Sequence, residues 1–215
     1  MEPFPPTSAA LEDPNGLLAV GGDLSAARLL EAYQRGIFPW YEPGEPILWW
    51  TPQPRAVLRP TEFHASKSFR KFLKTNEWRV EYDLRFEQVV EACAAPSPGR
   101  EETWISDDMK AAYLELHRLG YAHSVEVIDK DRLIGGLYGV KLGPVFFGES
   151  MFSKKSNASK VALHAICKKD LLGPLSLIDC QMPNTHLQSL GMTLITRVEF
   201  EQILASEIKQ SPKLD

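Results

Sequence analysis

Three consecutive extended segments in the second half of the chain limit its possible folds more than any other feature. They cover residues 122–128, 132–141 and 145–152. Two turns separate them, Asp129-Lys130-Asp131 and Leu142-Gly143-Pro144. Turns of this length join antiparallel neighbours, so the three segments predict an antiparallel meander.

An amphipathic helix precedes the meander. Ser106 is a good N-cap, and Asp107 and Asp108 suit the first turn, where acidic side chains stabilise a helix. Apolar residues then recur at steps of four and three until Gly120, where a helix would stop. Further upstream the pattern predicts a helix, a strand and a helix, at residues 66–74, 78–82 and 85–93. Downstream it predicts a helix at 157–171, a strand at 175–181, a short helix at 185–190, a strand at 193–197 and a terminal helix.

The order of these elements resembles the core of GNAT-type acyltransferases, in which the middle strands separate and the acyl donor enters the gap. We therefore predict an α+β fold with a GNAT-like C-terminal acyltransferase domain on a mixed, mostly antiparallel sheet. The order of elements says little about function by itself, because one fold hosts many activities.

The N-terminal part of the chain has a different character. A helix capped by Ser25 is followed by a Pro- and Trp-rich stretch from Gly36 to Pro52. Prolines at this density exclude a long helix or a central strand, so the stretch predicts loops and short extended pieces. We place a boundary near residue 55, which divides the chain into a small N-terminal lobe, 1–55, and a larger domain, 56–215.

Composition excludes several classes of protein. Of the 215 residues 44% are hydrophobic, yet no apolar run approaches the roughly 18 residues that cross a bilayer. The first residues do not form a signal peptide, and Cys93, Cys167 and Cys180 form no CxxC pair, which fits a reducing compartment. We therefore expect a cytoplasmic protein. The net charge of −4 argues against broad nucleic-acid binding, so an RNA partner must use local basic patches.

Several catalytic and cofactor motifs are absent from the sequence. It contains no P-loop, no G-x-S-x-G elbow and no H-E-x-x-H, and its five histidines have no metal-ligand spacing. The glycines of residues 135–139 lie inside a predicted strand and lack G-x-G-x-x-G spacing, so close strand packing explains them better. The sequence therefore indicates neither a metal nor a nucleotide cofactor.

Five long, ungapped sets of residues extend over nearly the whole chain. They are PNGLLAVGGDL (14–24), YQRGIFPW (33–40), ILWWTP (47–52), TWI (103–105), and FGESMFS (147–153) with LIDCQ (177–181). Together they resemble one family, the bacterial leucyl/phenylalanyl-tRNA–protein transferases.

This resemblance implies a specific reaction. Such enzymes transfer leucine, phenylalanine or, less well, methionine from aminoacyl-tRNA to a protein whose N-terminal residue is Arg or Lys. The new peptide bond creates a degradation signal of the N-end rule, which marks the protein for ATP-dependent proteolysis. The resemblance also implies a small N-terminal lobe beside a GNAT-like lobe, and no metal or nucleotide cofactor. Nothing in the sequence indicates an obligate assembly, so we expect a monomer.

Asp179 and Gln181 are the first candidates for catalysis. One residue separates them on a predicted strand, so both side chains should lie on one face while Cys180 points to the other. Gln181 would accept a hydrogen bond from the attacking amine, and Asp179 would orient the Gln181 amide or receive the proton. The alternative is a buried polar pair that only ties the strand to its neighbour.

Glu149, on the adjoining predicted strand, is the third catalytic candidate. Its carboxylate suits the cationic N-terminal residue of an acceptor, or the α-ammonium group itself. The alternative is a surface charge on an edge strand. In a regular strand Phe146 and Phe152 face away from Glu149, and a bulge at Gly148 would change this.

The donated side chain requires a deep apolar pocket that accepts Leu, Phe and Met. The candidates on facing elements are Leu137, Phe146, Ile166 and Ile178. Apolar residues at such positions are more often plain core.

Aromatic and basic residues are candidates for binding tRNA. Trp40, in a Pro-rich loop, and Trp104, before a helix, are poorly placed for a core and suit stacking on the 3′-terminal adenosine. For Trp49 and Trp50, packing between the lobes is an equal alternative. Lys154 and Lys155 lie near the start of the helix at Asn157, where free N–H groups favour a phosphate. A second basic patch on one helix consists of Lys67, Arg70, Lys71 and Lys74, with Arg55, Arg59 and Arg79 nearby in sequence.

Two rival functions stay open at the level of sequence. A GNAT enzyme that uses acyl-CoA is one, although residues 153–158 lack the glycines of a pyrophosphate loop. The other is a non-catalytic module that binds N-terminal degradation signals, which would need Glu149 but neither Asp179 nor Gln181.

Overall fold

The computed structural model describes residues 3–96, 103–168 and 172–208, which form two β-sheets with helices packed around them. The helices are α1 (Ala26–Gln34), α2 (Lys67–Thr75), α3 (Phe86–Ala94), α4 (Asp107–Arg118), α5 (Ala158–Lys168), α6 (Thr185–Gln188) and α7 (Arg197–Glu207). The strands are β1 (Leu17–Val20), β2 (Phe38–Pro39), β3 (Leu48–Trp50), β4 (Arg55–Leu58), β5 (Arg79–Tyr82), β6 (Ala122–Asp129), β7 (Arg132–Leu142), β8 (Val145–Ser153), β9 (Leu177–Gln181) and β10 (Thr193–Ile195).

The small sheet belongs to the N-terminal part of the chain, and its strands lie antiparallel in the order β1-β3-β2. α1 begins where the Ser25 hydroxyl accepts a hydrogen bond from the backbone N–H of Arg28, as predicted. It ends before Gly36, whose φ of 71° favours glycine. A Cβ at this position would lie 2.9 Å from the Phe200 ring, so glycine also allows α7 to pack closely here.

The large sheet has the strand order β10-β4-β9-β8-β7-β6-β5. β8 and β9 are parallel, and the other neighbouring pairs are antiparallel. The predicted α+β class, the mostly antiparallel sheet and the meander of β6, β7 and β8 are therefore confirmed. β1 was not predicted. β4 was not predicted either, because Pro52 and Pro54 directly before it indicate a loop.

One apolar cluster lies on each face of the large sheet. Along β7, Tyr138 and Val140 belong to a cluster with α1, α3 and α4, whereas Leu137 belongs to a cluster with α2 and α5. The alternation of a strand explains this division, because successive side chains point to opposite faces.

A β-bulge at Glu149 interrupts this alternation in β8. Tyr138 pairs with Ser150 and Gly139 with Gly148, so Glu149 is the extra residue. Phe146 consequently lies in the cluster with α5, while Phe152 lies in the opposite one. The strand is therefore not regular, and the alternative raised from the sequence, a bulge near Gly148, is the one that the structure shows.

β8 and β9 stay paired over only three residues each. Val145–Phe147 pair with Leu177–Asp179, and the register ends there. Both strands are irregular beyond this point, since β8 is bulged at Glu149 and Gln181 has a left-handed φ of 63°. The large sheet therefore opens between its middle strands, as predicted for a GNAT-like core.

Some predicted segments lie partly outside the described residues. The helix predicted at 157–171 is α5, which begins at Ala158 and is described to Lys168. Its last three predicted residues, and most of the loop predicted at 96–99, fall outside the described ranges. Across those ranges, no helix combines the length and apolarity that crossing a membrane requires.

Candidate active site

A cavity of about 230 Å³ lies where β8 and β9 separate. Its apolar wall consists of Leu137, Phe146, Met151, Leu163, Ile178 and Leu187, and its polar end of Glu149, Asp179, Gln181, Asn184 and His186. The volume lies below the range of about 300–1,000 Å³ typical of drug-sized ligands, so it suits one amino acid better than a whole nucleotide. We take this cavity, rather than larger clefts of about 570 and 730 Å³ elsewhere, as the candidate site because buried ionisable groups converge on it.

Glu149 is held from two sides at the polar end of the cavity. Its Oε1 accepts a hydrogen bond from Gln181 Nε2 at 2.9 Å, and its Oε2 accepts one from the Tyr113 hydroxyl at 2.6 Å. The Tyr113 oxygen lies 2.6 Å from the Tyr33 oxygen. Glu149 is buried in a central strand, so the alternative of a surface charge on an edge strand does not apply.

Asp179 forms a bidentate pair with Arg55, at 2.8 Å from Nε to Oδ1 and 2.7 Å from Nη2 to Oδ2. Both side chains are fully buried, and Arg55 Nη1 also donates to the Gly36 carbonyl at 3.0 Å. The guanidinium lies 4.9 Å from the Phe38 ring centroid and 4.6 Å from that of Phe200. Charge, two parallel hydrogen bonds and flanking rings fix the Asp179 carboxylate in place.

The predicted contact between Asp179 and the Gln181 side-chain amide is wrong. Asp179 Oδ1 accepts from the backbone N–H of Gln181 at 2.9 Å, whereas the side-chain amide turns to Glu149. The left-handed backbone of Gln181 breaks the strand alternation on which the prediction relied. Cys180 packs against the cluster with α5, on the opposite side from Asp179, as expected. Asp179 therefore positions the Gln181 backbone, and Glu149 positions its amide.

The electrostatics of the site concern Glu149 above all. Its pKa is raised to about 7, with burial as the largest cause and the charge of Asp179 acting in the same direction. Hydrogen bonds from Tyr113 and Gln181 oppose this rise, and the Tyr33 hydroxyl behind Tyr113 acts in the same direction as they do. A carboxyl group with a pKa near 7 exchanges protons at physiological pH, which suits a group that handles the proton of an amine.

Three of the four predicted pocket residues line the cavity, namely Leu137, Phe146 and Ile178. Ile166 does not line it, and this prediction is corrected: Ile166 is buried in the core beside a different cleft with Pro60 and Thr61. The residue of α5 that reaches the cavity is Leu163, one turn earlier. The sequence pattern identified the buried face of α5 but not the turn that reaches the gap.

The tryptophans divide into exposed and packed ones. Trp40 is 38% exposed, and its ring centroid lies 5.8 Å from that of Trp50, whose Nε1 donates to the Trp40 carbonyl. Trp104 is partly buried before α4 and packs against the cluster with α1, α3 and α4. Trp49 is fully buried, with Nε1 bonded to the Gly21 carbonyl at 2.8 Å. Trp49 is thus a packing residue, while Trp40 keeps an accessible surface.

Lys154 and Lys155 are exposed and follow the end of β8. Lys155 forms an ion pair with Asp129, and Lys154 Nζ lies 5.7 Å from the Phe152 ring centroid. Five residues of strand separate Lys154 from Glu149, which corresponds to roughly 16 Å. The two lysines therefore lie just past the end of β8 and not beside the Glu149 carboxylate.

The start of α5 has fewer free N–H groups than predicted. The backbone N–H of Ser159 donates to Ser153 Oγ at 2.8 Å, and that of Ala158 donates to the Lys155 carbonyl at 3.0 Å. These bonds satisfy donors that a phosphate would otherwise use. The lysine side chains, rather than the helix terminus, are the stronger anion-binding feature here.

The basic helix forms as predicted, and Lys67, Arg70, Lys71 and Lys74 are all exposed on α2. Two of the three arginines grouped with it by sequence have acidic partners, Arg59 with Glu199 and Arg79 with Asp131 and Glu81. The third, Arg55, is no surface cation at all but the buried partner of Asp179.

Sequence reasoning missed three residues of the site, Arg55, Tyr33 and Tyr113. Tyr33 lies among the buried, mostly apolar positions of α1, and Tyr113 lies four residues after Met109 on the buried face of α4. The available signal was a phenol at a core position, because a buried hydroxyl requires a hydrogen-bond partner. Within the described ranges, no group of three or more His, Cys, Asp or Glu side chains is arranged to hold a metal ion.

A sheet that opens between its middle strands onto a small apolar cavity, with a buried carboxyl group whose pKa is raised, is an arrangement that suits an enzyme of acyl transfer. A family sequence model described as "Leucyl/phenylalanyl-tRNA protein transferase" matches residues 57–205, and one described as its N-terminal domain matches residues 22–53. The chain belongs to the leucyl/phenylalanyl-tRNA–protein transferase family and is an aminoacyltransferase.

Relatives with this family name match over nearly the whole chain. That of Pseudomonas entomophila (strain L48) is 54% identical over 207 residues, which cover 96% of this chain and 92% of the relative. That of Azotobacter vinelandii (strain DJ) is 54% identical over 201 residues, covering 94% and 89%. That of Saccharophagus degradans (strain 2-40) is 50% identical over 209 residues, covering 97% and 86%.

Proposed function

We propose that this enzyme transfers leucine or phenylalanine, and less well methionine, from aminoacyl-tRNA to the N-terminal Arg or Lys of acceptor proteins. The observation that carries the proposal is the cavity between β8 and β9, which joins an apolar wall to a carboxyl–amide pair. Family membership supports the tRNA donor and the protein acceptor.

The apolar wall supports a hydrophobic donor residue. Leu137, Phe146 and Ile178 from the sheet and Leu163 from α5 are all apolar, so shape and hydrophobic burial select the side chain. Burying a Leu, Phe or Met side chain contributes about 1.5–3 kcal/mol in each case, so such a wall separates these three from polar residues better than from one another.

The polar end supports a cationic acceptor. Glu149 is the carboxylate available to the acceptor, because Asp179 is already neutralised by Arg55. We assign Glu149 to binding the α-ammonium group or the adjacent cationic side chain of the acceptor. The amide of Gln181 donates to Glu149 with Nε2, which leaves its Oε1 free to accept from the incoming amine.

In the reaction, the acceptor amine loses a proton and its nitrogen attacks the ester carbonyl carbon. The bond between that carbon and the ribose oxygen of the tRNA breaks, and the ribose oxygen takes up a proton. Gln181 orients the amine, Glu149 is the nearest proton acceptor, and Asp179 keeps the Gln181 backbone in place. Activation of the amino acid as an ester supplies the driving force, so positioning and proton handling are the tasks of the protein.

For the tRNA we propose contacts outside the cavity. Trp40 and Trp104 stack on the 3′-terminal adenosine, an interaction worth about 1–3 kcal/mol per base. Lys154 and Lys155 contact phosphates near the 3′ end, and the basic face of α2 contacts phosphates farther away.

Further properties belong to the same proposal. The lobe boundary near residue 55, a monomeric state, a cytoplasmic location, a reaction without metal or nucleotide cofactor, and a role in the N-end rule all remain predictions from the sequence and the family resemblance.

The test is transfer of radiolabelled leucine from leucyl-tRNA to a peptide with N-terminal Arg and to a matched peptide with N-terminal Ala. We expect label on the Arg peptide only, and at least tenfold slower transfer with Gln181→Ala. Leu84→Ala, which alters an exposed residue outside the cavity, is the matched control and should behave as wild type.

Two results would contradict the proposal. Equal transfer to both peptides would remove the acceptor specificity. No transfer by folded protein with intact leucyl-tRNA would remove the reaction, and binding of the Arg peptide alone would then favour the non-catalytic module. Acetylation of the peptide from acetyl-CoA would favour the acyl-CoA enzyme.

A further inference from the structure

A chain of hydrogen bonds extends from the catalytic cavity into the N-terminal part of the protein. Gln181 from β9 and Tyr113 from α4 each donate to one oxygen of Glu149. Tyr33, from α1, lies 2.6 Å from the Tyr113 oxygen. Tyr33 and Tyr113 are fully buried, so solvent does not compete for these bonds.

The direction of this chain follows from counting hydrogens. A carboxylate has none to give, so Tyr113 must use its single hydroxyl hydrogen on Glu149. The Tyr113 oxygen is then left as an acceptor, and Tyr33 must be the donor in the bond between the two phenols. Both hydroxyls therefore point their hydrogens toward Glu149 when it is ionised.

We propose that Tyr113 and Tyr33 are positioning residues that hold Glu149 ionised and aimed at the acceptor amine. This inference rests on the proposed transfer reaction. Tyr113 acts directly on the carboxylate, and Tyr33 acts through Tyr113, whose hydroxyl becomes a better donor when it accepts a hydrogen bond itself. The N-terminal part of the chain thereby contributes to the chemistry without contacting the substrate.

The pKa of Glu149 depends on the groups that face it from neighbouring elements. They are Tyr33 on α1, Tyr113 on α4, Tyr138 on β7 and Asp179 on β9, and Asp179 is paired with Arg55 on β4. The pKa values of the three phenols are raised well above the ordinary value, chiefly by burial and then by the charge of Glu149. They stay protonated in the neutral range, so none of the three phenols changes charge there. His186 of α6 also lines the cavity, and burial lowers its pKa from the ordinary value of 6.5, so its charge changes at a lower pH than that of Glu149.

The chain offers a matched control in Tyr138. Its ring centroid lies 5.3 Å from that of Tyr113 and it is equally buried, yet its hydroxyl has no hydrogen-bond partner within the described structure. Tyr138 also lines the cavity, so the control is the midpoint of the pH profile and not the absolute rate: Tyr138→Phe removes a phenolic hydroxyl from the same surroundings without removing a bond to Glu149.

The experiment measures the pH dependence of kcat/KM for transfer, from pH 5.5 to 9.5, in wild type and in Tyr113→Phe, Tyr33→Phe and Tyr138→Phe. Wild type should show a rising limb with a midpoint near 7, because Glu149 is active when ionised. Tyr113→Phe should move this midpoint up by about one pH unit or more, which corresponds to about fivefold slower transfer at pH 7 and little loss above pH 9. Tyr33→Phe should move it in the same direction by less, and Tyr138→Phe should leave it in place.

A second measurement does not depend on activity. The side-chain carboxyl carbon of Glu149, assigned by comparison with Glu149→Gln, is titrated by ¹³C NMR in the same proteins without substrate. The midpoint should rise in the order Tyr138→Phe, Tyr33→Phe, Tyr113→Phe. If Tyr113→Phe does not fold, the comparison of Tyr33→Phe with Tyr138→Phe tests the same hydrogen-bond chain.

The outcomes separate the two proposals. Absence of transfer in wild type, with normal titration shifts, would refute the proposed function and leave the hydrogen-bond chain intact. Normal transfer in wild type, with equal midpoints in Tyr113→Phe and Tyr138→Phe, would refute the positioning role. A uniform loss of rate at all pH values in Tyr113→Phe would also refute it, because that result indicates a purely structural role.

Discussion

Replacing Glu149 by Gln should stabilise the protein while it removes activity. The substitution keeps the size of the side chain, and the new amide can preserve both hydrogen bonds: its oxygen accepts from Tyr113, and its nitrogen donates to Gln181 after that amide rotates by 180°. What changes is the buried ionisable group.

The magnitude follows from the pKa of Glu149. In the folded protein it is about 7, compared with an ordinary value of 4.5. Between these values the folded state binds a proton that the unfolded chain releases, so the wild type loses stability as pH rises from about 4.5 to 7. A difference of about 2.5 units at about 1.36 kcal/mol per unit gives about 3 kcal/mol.

The assay is urea unfolding of wild type and Glu149→Gln at intervals between pH 4 and 9. The variant should match wild type near pH 4 and gain about 3 kcal/mol above pH 7. Glu115→Gln is the control, and its effect on stability should have the opposite sign. The pKa of the exposed Glu115 is lowered by its hydrogen bond to Arg118, so this substitution should lower the free energy of unfolding as the pH rises. A difference between Glu149→Gln and wild type that does not vary with pH would refute the reasoning.

The remaining predictions concern the buried ion pair, the pocket and the basic segment. Arg55→Leu leaves Asp179 buried without its partner and should lower the free energy of unfolding in urea by about 3–5 kcal/mol. Adding Asp179→Asn to this variant should restore part of that free energy. Leu163→Phe should narrow the cavity and lower the ratio of phenylalanine to leucine transfer, and an unchanged ratio would exclude Leu163 from the pocket. Lys154→Ala with Lys155→Ala should weaken binding of charged tRNA and flatten its salt dependence; identical binding across a salt series would contradict this.

The periodic elements of the fold could be predicted from the sequence. Ser25 and Ser106 act as the caps of α1 and α4, and the meander of β6, β7 and β8 follows its turns. β4 was not predicted because Pro52 and Pro54 precede it and Arg59 and Pro60 follow it, and this local pattern indicates a loop. Only pairing with β9 and β10 on either side makes this segment a central strand.

The sequence predicted which residues meet at the candidate site but not which hydrogen bonds join them. Glu149, Asp179 and Gln181 do meet at one cavity, yet the sequence offered the bulge beside Gly148 only as an alternative and gave no sign of the left-handed backbone at Gln181. These two irregularities decide which carboxylate touches the amide. The sequence placed Arg55 with the surface cations for a related reason. An arginine next to a proline indicates an exposed loop, and only the partner Asp179, distant in sequence, explains why Arg55 is buried.

The pair of Arg55 and Asp179 joins positions 124 residues apart, and Phe200 of α7 packs over the same guanidinium. A chain emerging from the ribosome therefore carries Arg55 long before it carries either partner. Since protein domains fold as cooperative units once their sequence is available, the active site is completed only after residue 200 has been made. An enzyme that draws on charged tRNA, the supply that the ribosome itself consumes, thus stays incompetent until at least 200 residues of its own chain have been translated.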